Sequence, residues 1–419
     1  RISPLYVHRR SLMSELSSPK LRPSHLRQYA LITGNYWAFT LTDGALRMLV
    51  VLHFHSLGYD ALQIALMFLF YELFGVITNL LGGYLGARIG LNRTMNIGLG
   101  LQLIALSMLL VSPHLLTVAW VMAAQAISGI AKDLNKMSAK SAVKVLAPTG
   151  EGTSLYRWVA LLTGSKNALK GVGFFLGGAL LNGFGFSSSV LIMLLGLAGV
   201  WLLSLVLLKT DLGRATNKPK VTHLWSKNPA INNLSMARLF LFSARDVWFV
   251  VALPVYLAQQ LGWQYWQVGA YLALWVIGYG LVQALTPKLT QRLYAANVTA
   301  RHSLWWVLLL TTTTLLIASG LALDLNNTWV LMLGLACFGL VLAVNSAIHS
   351  YLIVNLAHVD RVSMDLGYYY MANAAGRLLG TVLSGWVFIH FGFIWCLLCS
   401  ALLLMAAALF MRRLARTKH

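Results

Sequence analysis

Charged side chains are scarce in this chain, and acidic ones are the scarcest. Only 10% of its 419 residues are Asp, Glu, Lys or Arg, and Asp plus Glu number 11. Soluble proteins average about 25% charged residues, so there is too little polar surface here to cover a body dissolved in water. Cysteine is nearly absent: Cys337, Cys396 and Cys399 are the only three. The last two have the C-x-x-C spacing used by redox and metal sites. Inside an apolar run they are expected instead to be small packing residues. A Walker A pattern is missing, which leaves no sign of direct ATP drive. No metal or cofactor is expected.

What the chain has in abundance is apolar length. Hydrophobic residues make up 58%, and the mean hydropathy is +0.71. A helix needs about 20 mostly apolar residues to cross the hydrocarbon core. Twelve such runs are present: 29–52, 62–86, 94–112, 115–138, 153–182, 188–208, 231–257, 266–287, 303–322, 329–354, 366–389 and 393–411. Lipid offers no partner to open backbone groups, so these runs are predicted as transmembrane helices of an all-α membrane protein.

The net charge of +21 divides by position. Of 32 Lys and Arg, 24 fall in the tail before the first run, in every second loop and in the C-terminal tail. The alternate loops hold Asp60 and Asp324 but no Lys or Arg. This positive-inside asymmetry predicts two cytoplasmic termini in the inner membrane, and it removes any need for nucleic acid as a partner. No cleavable signal sequence is recognisable. The chain opens Arg1-Ile2-Ser3-Pro4, and its first methionine is Met13. Translation is expected to start there, with 1–12 an artefact of the gene boundary; N-terminal mass spectrometry should find no mature peptide containing Tyr6.

The predicted organisation is a cytoplasmic tail (1–28), a six-helix bundle (29–208), a polar linker (209–230), a second six-helix bundle (231–411) and a short tail (412–419). The halves echo each other. Leu57-Gly58-Tyr59 recurs as Leu261-Gly262-Trp263, and Lys170, Gly173 and Gly185-Phe186 recur as Arg377, Gly380 and Gly392-Phe393. Six plus six helices in parallel repeat is the arrangement of the major facilitator fold, with its site between the halves. The loop after the second helix resembles that family's gating pattern through Gly83, Leu85, Arg88, Gly90 and Arg93. Ala87 stands where the family has an acid, which puts any gating salt bridge built on that acid in doubt.

Eight cations remain inside the membrane: Arg47, Lys132, Lys136, Lys166, Lys170, Arg238, Arg245 and Arg377. Four acids accompany them: Asp43, Glu72, Asp133 and Asp246. A Lys or Arg at mid-bilayer costs roughly 2.5–3.5 kcal/mol on insertion scales, so such residues must face partners, water or substrate. Asp43 and Arg47 stand one turn apart and are expected to pair. Lys170 and Arg377, as repeat mates, should face each other. Lys132, Lys136, Lys140 and Lys144 form a stripe that is either an anion funnel or a set of snorkelling anchors. Arg47, Lys132, Lys136, Lys166, Lys170, Arg245 and Arg377 are the candidate anion-binding residues, since Arg grips oxyanions bidentately and Lys adds a point charge. Asn35, Tyr36, Asn167, Asn345, His349 and Asn373 are polar candidates beside them. Asp43, Glu72, Asp133 and Asp246 are either proton carriers or ion-pair partners.

The strings GNYWAFTLTDGALRMLVVLHFH (34–55), SGIAKDLNKMSAKSA (128–142) and TGSKNALKGVGFFLGG (163–178) resemble the organoarsenical efflux permeases of the ArsJ type. The resemblance runs over essentially the whole chain after Met13. It implies export of 1-arseno-3-phosphoglycerate and a functional link to the glyceraldehyde-3-phosphate dehydrogenase that makes it, giving arsenate resistance. A monomer is expected. Two rivals stand beside it. One is a carrier of another organophosphate or small organic anion. The other is a multispan membrane enzyme, for which His53 and His55 lack a supporting H-E-x-x-H or acidic cluster.

Overall fold

The computed structural model describes residues 23–59, 67–146, 152–208, 212–214, 226, 228–263, 265–294 and 298–416. Residues 1–22 with Met13, Asp60 and most of the linker 209–230 lie outside them. Every regular element among the described residues is a helix. The first half contributes α1 (Pro23–Ser56), α2 (Leu69–Ile89), α3 (Leu91–Met108) and α4 (Val118–Leu146). The stretch Gly152–Leu207 follows, broken at Gly185 (φ 74, ψ 178) into α5 (152–184) and α6 (186–207). The second half contributes α7 (Pro229–Phe249), a short helix Ala252–Gln259, α8 (Tyr265–Tyr294), α9 (Ala300–Ala322), α10 (Asn327–Leu356), α11 (Val362–Phe391) and α12 (Phe393–Arg416).

Local chemistry sets the boundaries. Asn228 caps α7 by accepting from the Ala230 amide at 2.9 Å. Pro229 fills the first turn, where its missing N–H costs nothing. The repeated glycines break helices in both halves. Gly185 and Gly392 separate the fifth from the sixth and the eleventh from the twelfth spans with φ of 74° and 88°. Gly58 and Gly262 end the first and seventh spans with φ of 88° and 68°. Such angles are open to glycine because it has no Cβ.

Seven stretches are long and apolar enough to cross a membrane by composition, including Leu155–Leu207, which holds two spans. The polar and charged residues of α1–α4 lower their hydropathy below that level. Large apolar side chains such as Leu316, Ile389 and Leu402 lie 67–78% exposed, as a lipid-facing surface requires. The chain is a multi-pass membrane protein.

The helix starts and ends that carry Lys and Arg gather at one end of the bundle, here called the basic end. There the halves interlock. Gly164 on α5 and Gly280 on α8 pack backbone to backbone, and a Cβ on either would collide with a main-chain nitrogen opposite. Gly83 on α2 packs against Ser363 and Gly367 on α11 in the same way, and the Ser363 hydroxyl donates to the Gly83 carbonyl at 2.8 Å. One apolar cluster runs across both halves, from Leu46 and Met137 to Ile348 and Leu366. Hydrogen bonds between the halves run from this end up to a central ion pair on α2 and α11.

Gly280→Val should wedge α5 and α8 apart. Overpacking costs about 1–3 kcal/mol, so a lowered thermal midpoint is expected, together with new labelling at the basic end. A variant with unchanged stability and labelling would contradict this packing.

Candidate functional site

At mid-bundle the charged residues form one alternating chain. Arg377 on α11 donates to Glu72 on α2 at 2.7 Å, and Arg47 on α1 reaches the same Glu72 oxygen at 3.4 Å. Arg377 also approaches Asp246 on α7 at 3.4 Å, which holds the neighbouring Arg245 at 2.6 Å. One carboxylate oxygen is thus shared by guanidiniums from opposite halves. The charges of Arg377, Lys132, Arg47 and Lys170 all act on Glu72. The Arg377–Asp246 contact, Nε to Oδ2, is an ion pair without hydrogen-bond geometry.

Two further groups flank this chain. Lys170 on α5 lies 4.0 Å from Asp43, whose other oxygen accepts from the Tyr71 hydroxyl at 2.7 Å. On α4, Asp133 sits between Lys136 at 2.6 Å and Lys132 at 3.9 Å. The Lys132 ammonium rests over the Tyr71 ring, 3.7 Å from its centroid, a favourable cation–π geometry. Lys166 donates to Asn167 at 3.3 Å, and Asn167 donates to Gln283 across the halves at 2.5 Å. The structure therefore brings all seven predicted anion-binding cations into one region between the halves.

One expectation from the sequence is corrected, and one open choice is narrowed. Asp43 and Arg47, one turn apart, do not pair: Arg47 turns to Glu72, and Asp43 serves Lys170 and Tyr71. The repeat mates Lys170 and Arg377 each contact an acid, Lys170 at Asp43 and Arg377 at Glu72 and Asp246. The lower lysine stripe is no lipid anchor. Lys140 is buried and donates to Tyr370 on α11 at 2.7 Å, and Lys144 donates to the Asn355 carbonyl at 3.2 Å. Helical spacing shows which residues share a face, but not what the neighbouring helix presents to that face.

The polar candidates divide. Asn167 bridges the halves through Gln283, whereas Asn373 joins α11 to α7 within the second half, accepting from Arg238 Nε at 2.9 Å. Asn35 donates to Ser204 at 2.9 Å, and Asn345 accepts from Ser303 at 2.6 Å; both join helices within one half. Tyr36 and His349 are buried with unpartnered polar atoms. In the loop, Gly83 makes the contact with α11 and Gly90 takes φ 98°. Arg88 bonds its own helix through Tyr84 at 2.9 Å, and Arg93 has a contact of its own. Ala87 is buried. Sequence reasoning missed Tyr71, Tyr370 and Gln283, which carry no charge to single them out in an apolar run. Cys396 and Cys399 are free thiols, and no metal-binding group of side chains occurs among the described residues.

Asp133 supplies a direct test of this electrostatics. Asp133→Ala leaves two lysines facing each other, and breaking a buried pair costs about 3–5 kcal/mol. A lower thermal midpoint in detergent is expected, with partial recovery in the double variant with Lys136→Gln. Additive losses would show that the pair is not coupled.

The fold has many solved relatives. A bacterial homologue of the iron transporter ferroportin, in an outward-facing state, superposes with a TM-score of 0.73 at 16% identity, covering 93% of this chain and 99% of that one. The human organic anion transporter MFSD10 (TETRAN) gives 0.72 at 17% identity, covering 93% and 100%. A variant of the E. coli fucose:proton symporter FucP gives 0.71 at 13%, covering 94% and 100%. No curated protein matches the sequence. The Major Facilitator Superfamily model matches residues 32–315 and 249–419, and with the twelve-helix fold it makes this chain a member of that superfamily of transporters.

Proposed function

We propose that the protein exports a multiply charged organic anion, 1-arseno-3-phosphoglycerate, across the bacterial inner membrane and so confers arsenate resistance. The observation that carries the anion reading is the shared Glu72 carboxylate, which is gripped by Arg377 at 2.7 Å and by Arg47 at 3.4 Å from opposite halves. Eight intramembrane cations face four acids, so positive charge is left for a ligand to balance. The arsenic comes from the resemblance of the strings 34–55, 128–142 and 163–178 to ArsJ-type permeases. In this reading both termini are cytoplasmic, the chain acts as a monomer, and a glyceraldehyde-3-phosphate dehydrogenase supplies the substrate.

The mechanism follows from competition. An arsenate or phosphate group offers several oxygens where Glu72 offers one to both guanidiniums. Arg can hold such a group bidentately, while Lys132, Lys136 and Lys170 add unsaturated positive charge. Entry of the substrate displaces Glu72 from Arg377, the ion pair that links α2 to α11 at mid-bundle. The displaced carboxylate can then take up a proton, as intramembrane acids in transporters do. Loss of the anion on the far side lets Glu72 return. Movement of the halves then alternates access to the site. Export of another organophosphate would use the same cations.

Everted vesicles test the substrate. Accumulation is expected only when dehydrogenase, glyceraldehyde 3-phosphate and arsenate are all supplied. Equal accumulation of free arsenate without the enzyme would overturn the assignment. Arg377→Gln should reduce transport at least about tenfold, the effect of roughly 1.4 kcal/mol, at normal protein level. Glu72→Gln should bind the anion more tightly yet turn over more slowly, because nothing competes for the guanidiniums.

A further inference from the structure

Below the central chain, nearer the basic end, two buried cations from opposite halves bond one turn of α11, Lys140 to Tyr370 at 2.7 Å and Arg238 to Asn373 at 2.9 Å. Lys140 lies about 9 Å from the end of α4, and Arg238 about 13 Å from the start of α7, at 1.5 Å per residue. Their residues are 6% and 4% exposed. No carboxylate lies within ion-pair distance of Lys140 or Arg238 among the described residues. Arg238 is satisfied only by neutral oxygens, those of Asn373 at 2.9 Å and Ser346 at 2.9 Å, and by the Phe242 ring at 4.0 Å. Around it, His349 has both ring nitrogens unpartnered, and the Tyr369 hydroxyl and the Asn345 amide nitrogen are unpartnered as well.

Burying like charges together is costly unless something negative joins them. Tyr370 partly screens them here: its hydroxyl accepts from Lys140 at 2.7 Å, and its ring lies 4.6 Å from the same ammonium. That contact is also part of the closure between the halves, so opening the basic end breaks it and uncovers both cations.

We propose that Lys140 and Arg238 form a second anion site, distinct from the Arg47–Glu72–Arg377 centre. It takes the phosphate-type end of the transported anion when the basic end is open. His349 and Tyr369 are placed to donate to the oxyanion. The site rests on the anion-export reading for its role in transport, but not for its ability to hold an oxyanion. It also accounts for a cation pair with no ion-pair partner among the described residues: in the closed state the two charges repel, and an anion between them reverses that repulsion.

Equilibrium dialysis of labelled inorganic phosphate against the full chain in nanodiscs tests this. Wild type should show two classes of site. Arg377→Gln should remove one, and Lys140→Gln or Arg238→Gln the other, with affinity falling about tenfold or more. Glycerol 3-phosphate should displace the label from both classes. Thermal midpoints without phosphate identify any variant that fails to fold, and Lys140→Gln carries the test if Arg238→Gln does not fold. If the central reading fails but this one holds, a single class will survive Arg377→Gln and vanish in Lys140→Gln. Binding unchanged in folded Lys140→Gln, or abolished wholly by Arg377→Gln, overturns the second site. Displacement by glycerol 3-phosphate from the Arg377-dependent class alone overturns its place on the transport path.

Discussion

One carboxylate oxygen shared by two guanidiniums holds the centre of this molecule together. Glu72 stands on α2, Arg47 beside it on α1, and Arg377 opposite on α11. In a low-dielectric interior a charge without a partner is far costlier than in water. Every other intramembrane cation near the centre must therefore find its own acid, an aromatic face or an amide. Asp133 takes Lys132 and Lys136, Asp43 takes Lys170, and Asp246 takes Arg245. Arg377 Nε and Asp246 Oδ2 face each other at 3.4 Å as an ion pair without hydrogen-bond geometry.

Closure of the basic end depends on a different kind of contact. Glycine pairs let α5 meet α8 and α2 meet α11 at main-chain distance, and a continuous apolar cluster fills the space around them. In a membrane, dispersion and close packing take the part that water-driven burial takes in soluble proteins. Such a contact can break and reform without moving a charge into lipid. The polar links at this end, Lys140 to Tyr370 and Lys144 to the Asn355 carbonyl, are single hydrogen bonds. The permanent joints lie within each half. Gly173 and Gly177 seat α5 on α1, and Gly376 and Gly380 seat α11 on α7.

The two cation groups differ in a way that bears on direction. The central group carries its own counter-anions and is part-exposed, with side-chain exposures of 14–28% for its Lys and Arg residues. The group nearer the basic end is buried and carries none. An anion moving between them would exchange a site where it competes with Glu72 for one where it competes with a tyrosine hydroxyl.

The sequence by itself determined the class of molecule. Too few charges for a soluble body, twelve apolar runs and one-sided cations leave a helical membrane bundle as the physical solution. The repeat was legible too, because a glycine needed at positive φ is needed in both halves: Gly58 with Gly262, and Gly185 with Gly392. Depth alone picked out the seven cations that the structure brings together. Pairing was decided only by tertiary structure. The i,i+4 spacing of Asp43 and Arg47 pointed to a partnership that α2 and α5 dissolve by presenting Glu72 and Lys170. Spacing left Lys140 open between funnel residue and anchor until α11 covered it. Sequence spacing fixes which side of a helix a residue occupies, whereas the sign and shape of what it meets there are set by another helix, 25 residues away for Arg47 and Glu72 and 230 for Lys140 and Tyr370.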